Sequence, residues 1–148
     1  FQTKTTIDTL DYSGDELNEG SKVVIAAAGE IKRTLSEKID DVNLPDNFSN
    51  PKLISKGNLV IEGKGEMRDL ITSLENQNLE GIALITLVDD ASFVIENFSN
   101  WLWVTFTRSN PASDIYGLHS ETINKHFSCS IPIIDARIKK HHAPILER

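Results

Sequence analysis

Cysteine is almost missing from this chain: Cys129 is the one thiol among 148 residues. A single thiol cannot close an internal disulfide, so the fold rests on its own packing, and a reducing compartment, the cytoplasm, is expected. Methionine is equally scarce. The sequence opens on Phe1 and its one methionine is Met67, so the chain is expected to be a piece of a longer polypeptide. Long apolar runs are lacking, which argues against a membrane-spanning helix. A basic excess is lacking too: 15 Lys and Arg face 22 Asp and Glu, a net charge of −7. Sequence-independent binding of nucleic acid or anionic lipid needs a basic face, and this balance argues against one. A local basic cluster remains at Arg137, Lys139 and Lys140. The first residues do not show the basic-then-apolar pattern of a secretory signal. The glycosylation-like triplets Asn47-Phe48-Ser49 and Asn97-Phe98-Ser99 are therefore read as chance matches. No internal repeat or low-complexity segment is visible.

What is present fits an ordinary globular domain, with 39% apolar and 25% charged residues. A single domain of this length buries roughly 70% of the surface its unfolded chain exposes, and needs no staples. Residues 1–20 are polar, with turn signals at Ser13-Gly14-Asp15 and Glu19-Gly20, and read as an extended lead-in from a preceding domain. The run Lys22–Ala28 reads as a strand buried on both faces. Ile31, Leu35 and Ile39 recur at four-residue steps and predict a short helix over Glu30–Ile39. Asp40–Pro51 reads as loop, with Pro45 and Pro51 as breakers. Asn58–Gly63 is a second strand, and Met67, Leu70, Ile71 and Leu74 share one face of a clear helix that ends in Asn76–Gly81. Ile82–Asp90 is a third buried strand, followed by a helix over Ala91–Phe98 that Asp89 or Asp90 can cap. Trp101–Thr107 reads as a fourth strand, Arg108–Ser130 as a long mixed stretch, Ile131–Ala136 as a fifth strand, and the tail from Arg137 as extended. Alternation of strands and helices argues for α/β layering around one sheet.

Several clusters invite a chemical reading. Asp89 and Asp90 end a buried strand, where ligands of α/β sheets bind, so either could hold Mg²⁺ or act as a base. The plainer role, a helix cap, is the commoner one. His126, Cys129, His141 and His142 are the soft metal ligands, but they lack the second well-spaced pair that makes a zinc site specific. Gly63 and Gly65 lie between a strand and a helix, yet lack the further residues of a dinucleotide or P-loop fingerprint, and read as a tight turn. Trp101 and Trp103, on one side of a strand, would face the core. Arg108, Asn110 and Asp114 are close enough to share a hydrogen-bonded frame, since a partly buried guanidinium needs oxygen partners. An Arg108–Asp114 clamp closing the loop Pro111–Gly117 is the favoured reading; an anion site at a cleft or at a contact between protomers is the alternative.

Taken together, "LDYSGDELNEGSKVVIAAAG", "ALITLVDDAS", "WLWVTFTRSNPASDIYG" and "IIDARIKKHHAP" resemble the C-terminal domain of the UbiD family of decarboxylases, over about Leu10 to Pro144. The most specific part is Thr107, Arg108, Pro111 and Asp114, supported by Ile134, Asp135, Ala136 and Lys139. The resemblance implies a three-layer α/β/α unit with a mixed, largely parallel sheet of about five or six strands, residues 21–148 forming the domain. It also implies an enzyme, a carboxy-lyase that removes CO₂ reversibly from aromatic or unsaturated acids using prenylated flavin mononucleotide with a divalent metal and potassium. Ubiquinone and menaquinone biosynthesis employ such enzymes. The cofactor cradle and catalytic Arg and Glu residues belong to a preceding domain, so no catalytic, cofactor-binding or metal residue is carried to this chain. The expected partners are that upstream domain and further copies of the chain, as a homodimer or higher homo-oligomer. No nucleic acid is expected, and peripheral membrane association of the full-length enzyme is compatible with the resemblance. Two other readings stay open: a stand-alone α/β binding or regulatory module, and a small enzyme using Asp89, Asp90 or the His/Cys cluster.

Overall fold

The computed structural model describes residues 2–6, 19–26 and 28–142. The expected turn at Ser13-Gly14-Asp15, Ala27, and the tail beyond His142 lie outside the described residues. The strands are β1 (Gln2–Thr6), β2 (Glu19–Lys22), β3 (Phe48–Ser55), β4 (Asn58–Gly63), β5 (Leu84–Val88), β6 (Ile115–Leu118), β7 (Glu121–Ile123), β8 (His126–Ser128) and β9 (Ile131–Asp135). The helices are α1 (Met67–Leu74), α2 (Ala91–Ile95) and α3 (Phe98–Thr107). The main sheet has five strands in the order β3-β4-β5-β9-β6. Its inner pairs, β4 with β5 and β5 with β9, are parallel. Its outer pairs, β3 with β4 and β6 with β9, are antiparallel. The fold class is therefore α/β with a mixed sheet, and the parallel share is half the pairs rather than most of them.

Side-chain alternation along the inner strands builds two cores. Leu59 and Ile61 of β4, Ile85 and Leu87 of β5, and Ile131 and Ile133 of β9 pack against Met67, Leu70 and Leu74 of α1. Val60 and Val88 point to the opposite face and meet Ala91 and Val94 of α2 and Trp101 and Val104 of α3. Helices thus cover both faces, and buried apolar residues on successive positions of β4 and β5 follow from that.

Four sequence expectations fail. Trp101–Thr107 is helix α3, not a strand: the Asn97 side chain accepts the Asn100 N–H at 2.9 Å and caps its N-terminus. Helical spacing buries Trp101, Val104 and Thr105 together and leaves Trp103 outside, so the two indoles do not share a face. The indole N–H of Trp101 donates to the Thr86 hydroxyl at 3.0 Å, which satisfies it within the core. Within Lys22–Ala28, Lys22 ends β2, and Val23–Ala26 carries no ladder bonds to other described residues; Val24 is 89% exposed. Glu30–Ile39 forms no helix. It is an irregular strap held by backbone bonds Ser36 N–H to Gly81 C=O (3.0 Å) and Gly57 N–H to Ser36 C=O (2.8 Å), with Ile39 set against the core. The positive φ of Gly57 and Gly81 at these crossings leaves no room for a side chain, since a Cβ at Gly81 would lie 2.8 Å from the Ser36 backbone.

Asp40–Pro51 is loop only in part, because β3 begins at Phe48. Pro51 is tolerated within β3 because this strand is at the sheet edge, where a missing N–H breaks no inner ladder. The ribbon of β1 and β2 docks through Ser21, whose hydroxyl donates to the Asn110 side chain and accepts the Ala112 N–H at 2.9 Å. The segment 109–130, expected to be mixed, holds β6 and the exposed hairpin β7–β8, whose two-residue turn uses left-handed Asn124 and Lys125. Asn97 and Phe48, members of the two glycosylation-like triplets, serve as a helix cap and a core residue. No helix among the described residues is long and apolar enough to cross a membrane.

Replacing Thr86 by Val keeps the volume and removes the acceptor of the Trp101 indole. The expected loss is about 1–3 kcal/mol, the cost of leaving a buried donor unmade. Urea unfolding followed by tryptophan fluorescence measures it, with an unchanged denaturant slope.

Candidate functional site

The parallel strands β4, β5 and β9 end on the same side of the sheet, and β6 starts there. This edge collects charge. Asp89 follows β5, Asp135 closes β9, Asp114 precedes β6, and Arg108 is the C-cap of α3. Arg137 and Lys139 return to the edge just after β9. Three carboxylates thus meet three cations.

Arg137 grips Asp135 in a two-pronged bond, Nε to Oδ1 at 2.9 Å and Nη2 to Oδ2 at 2.7 Å. Its third arm, Nη1, donates to the Gly65 carbonyl at 2.7 Å, directly ahead of α1. The glycines let this happen: a Cβ at Gly63 or Gly65 would lie 2.3 or 2.4 Å from the Phe48 ring, which fills the turn instead. Burial alone would raise the Asp135 carboxyl, but the Arg137 hydrogen bond and the charges of Lys139 and Arg137 outweigh it and hold the group below its ordinary range. Tyr116, on the adjacent edge strand β6, responds the other way. Burial first, then the charges of Asp135 and Asp114, push its phenol up.

Lys139 holds the other half together. Its ammonium donates to the backbone carbonyls of Asp135 (2.9 Å), Arg108 (3.3 Å) and Arg137 (3.3 Å), and stands 3.3 Å from the Asp114 carboxylate. Asp114 in turn accepts the Asn110 N–H at 2.7 Å and returns its own N–H to the Asn110 carbonyl at 2.8 Å. The loop frame shared by Asn110 and Asp114 is therefore present, but its cation is Lys139. Arg108 instead faces Asp89, at 3.9 Å. Asp89 also accepts the Ile138 N–H at 2.8 Å.

The remaining sequence candidates separate. Asp90 caps α2 by accepting the Phe93 N–H at 3.1 Å. Thr107 donates back to the Trp103 carbonyl at 2.6 Å, and Pro111 is buried in the turn that Asn110 and Asp114 close. Of the signature residues, Arg108, Asp114, Asp135 and Lys139 converge on one cluster, and Thr107 and Pro111 flank it. Arg137 and Lys139 are turned inward onto carboxylates, so the expected basic cluster of the tail does not form around them; Lys140 stays exposed. The tail is not extended to its described end: the His142 N–H donates to the Lys139 carbonyl at 3.0 Å, and its Nδ1 accepts the Lys139 N–H at 3.2 Å. Burial, then the nearby charges of Lys139 and His141, lower the His142 pKa and favour the neutral ring that this bond requires. Among the described residues no group of three or more His, Cys, Asp or Glu could hold a metal ion. Cys129 lies against Gly117, and burial raises its thiol, which disfavours a reactive thiolate.

Sequence reasoning missed Arg137 as a pair partner and the carbonyls of Gly65 (2.7 Å) and Gly63 (3.5 Å) as acceptors of its Nη1. The available signal was the alternation Asp135, Arg137, Lys139, which places charges at every second position past the end of a buried strand.

Relatives of the chain include proteins of chlamydiae. An uncharacterized protein of Chlamydia trachomatis is 33% identical over 89% of the chain and 23% of its own length. An uncharacterized protein of Chlamydia caviae is 30% identical over 96% of the chain and 24% of its own length. A Chlamydia pneumoniae protein named as a 4-hydroxybenzoate decarboxylase component is 31% identical over 98% of the chain and 25% of its own length. The chain thus spans about a quarter of the length of the curated relatives it matches. No family model matches the chain, and no solved structure matches it.

The Asp135–Arg137 pair makes stability pH-dependent. A folded-state pKa below the unfolded value means that the contribution of Asp135 is complete above about pH 4 and fades as pH falls through the folded value. Asp135→Asn flattens that acid limb in urea titrations run at successive pH values. At pH 7, Asp135→Ala leaves the Arg137 guanidinium without its carboxylate and lowers stability by about 3–5 kcal/mol.

Proposed function

We propose that this chain is the C-terminal assembly and cleft-covering domain of a UbiD-like carboxy-lyase acting on an aromatic or unsaturated acid. The observation that supports this reading most is the likeness, over nearly the whole chain, to a protein named as a component of 4-hydroxybenzoate decarboxylase. The Arg108–Asp114 and Asp135–Lys139 stretches that carry the family resemblance meet at one edge of the sheet.

The chemistry of that edge favours a supporting role over a catalytic one. Each of its three cations faces a carboxylate, and each carboxylate also accepts a backbone N–H: Ile138 to Asp89, Asn110 to Asp114, Arg137 to Asp135. A general base needs a lone pair free to take a proton, and a substrate-binding guanidinium needs a free fork. Asp135 and Arg137 use theirs on each other, while Arg108 only stands near Asp89, at 3.9 Å. What the network does is fix the end of α3, the entry to β6 and the exit of β9 in one geometry, a rigid margin against which another domain can close.

In this reading residues 1–20 lead in from an upstream domain and residues 21–148 form the covering unit. The upstream domain would carry prenylated flavin mononucleotide with its divalent metal and potassium. The described residues offer no group fit for that metal, so no step of the reaction is assigned to them. The enzyme would be cytoplasmic, would assemble as a homodimer or higher homo-oligomer, and would serve quinone biosynthesis.

The full-length polypeptide, reconstituted with the prenylated flavin, is expected to release CO₂ from 4-hydroxybenzoate or a related unsaturated acid, whereas residues 1–148 alone release none. Isotopic release from carboxyl-labelled acids measures both. Turnover by the isolated 148-residue chain would overturn the assignment of a supporting role.

A further inference from the structure

One of the strongly apolar stretches of the sequence is also among the most exposed. Val24 and Ile25 are 89% and 65% exposed, and Ile31 is 91% exposed. Val24 and Ile25 are consecutive, so two neighbouring apolar side chains of this stretch lie open. Its composition, Val-Val-Ile-Ala, is that of a buried strand. It continues directly from β2, which is already paired on one side by β1 in antiparallel register.

The register states what is missing. The register shifts between Thr5 and Gln2; beyond that shift Gln2 stands opposite Lys22, and the ladder of described residues stops there. The same antiparallel register carried onward sets Val24 opposite the position immediately before Phe1, and Ile25 opposite the position before that. The relatives carry about three quarters of their length outside the match. We propose that Val23–Ala26 is the open half of a β-ladder whose other half is the polypeptide N-terminal to Gln2, so that β1 and β2 are the visible ends of two longer strands that join this domain to the rest of the protein. The apolar side chains of Val24 and Ile25 then lie at the seam between this domain and the next.

Ser21 gives the seam a fixed position. It is buried, and its bonds to Asn110 and Ala112 tie β2 to the loop framed by Asp114. A strand pair anchored there by one residue and extended outward over the next four would couple the loop to the neighbouring domain. The proposal shares with the proposed function the premise of a longer polypeptide, and not its reaction.

The test uses the full-length polypeptide. In a Cys129→Ser background, Val24→Cys is combined with cysteine at the position immediately before Phe1. Directly opposed residues of an antiparallel ladder are close enough for a disulfide, and mild oxidation is expected to close one within a single polypeptide. Hydrogen exchange on the unmodified full-length protein supplies the second readout: alternate amides across Val23–Ala26 exchange at least ten-fold more slowly than in the unfolded chain, at a rate independent of protein concentration. Absence of the intrachain bridge overturns the register. Rapid exchange through the stretch, protection that grows with concentration as pairing between copies would produce, or a native polypeptide that starts at Phe1 overturns the proposal. CO₂ release is blind to each of these outcomes, so the seam and the reaction fail separately.

Discussion

The ammonium of Lys139 is the contact on which the sheet edge depends. It sits among the carbonyls that end α3 and β9 and the carboxylate that opens the turn into β6. Carbonyls at the end of a helix or a strand have no regular partner, and a cation placed among them meets that deficit and the negative end of the helix dipole together. The position is enclosed, with the side chain 20% exposed, so its Coulomb attraction is less screened than that of a surface pair. Arg137 does the same for the turn ahead of α1, with Asp135 holding it in place. The two cations divide the sheet edge between them: Arg137 secures the side covered by α1, and Lys139 the side covered by α3.

The rest of the fold supplies these groups with a firm base. Both faces of β4 and β5 are buried, one under α1 and one under α2 and α3. Strand ends held from both sides cannot tilt without opening one core or the other. That rigidity lets a charged cluster persist at a partly wet margin, where mobile ion pairs would contribute little.

How far the sequence announced this depended on whether the deciding interaction was local. Helix α1, strands β4, β5 and β9, and the Asp90 cap were legible, because a four-residue apolar face, a glycine-bounded apolar run and a capping carboxylate are decided within a few residues. Trp101–Thr107 departs from the expected strand because a continuous run of aromatic and β-branched residues suits a buried strand as well as a buried helix; Asn97 is the local signal that decides it. The Lys22–Ala28 run is a different case: past Lys22 its strand-like composition finds no partner among the described residues. At the candidate site the residues were singled out but their pairing was not. Arg108 lies nearer to Asp114 in sequence than Lys139 does, yet the fold brings Lys139 back across the sheet end and turns Arg108 to Asp89. Sequence proximity ranks partners only when no strand intervenes.

One edge of the main sheet carries a restriction of its own. Strand β3 has Pro51, which has no N–H to offer, beside Asn50 in the left-handed conformation, and its register slips between Ser49 and Lys52. A second strand laid along that side would meet an interrupted row of donors and a kinked backbone. Growth of the sheet from one molecule into the next is therefore disfavoured at β3, and the chain can crowd at high concentration without this edge seeding a continuous ribbon.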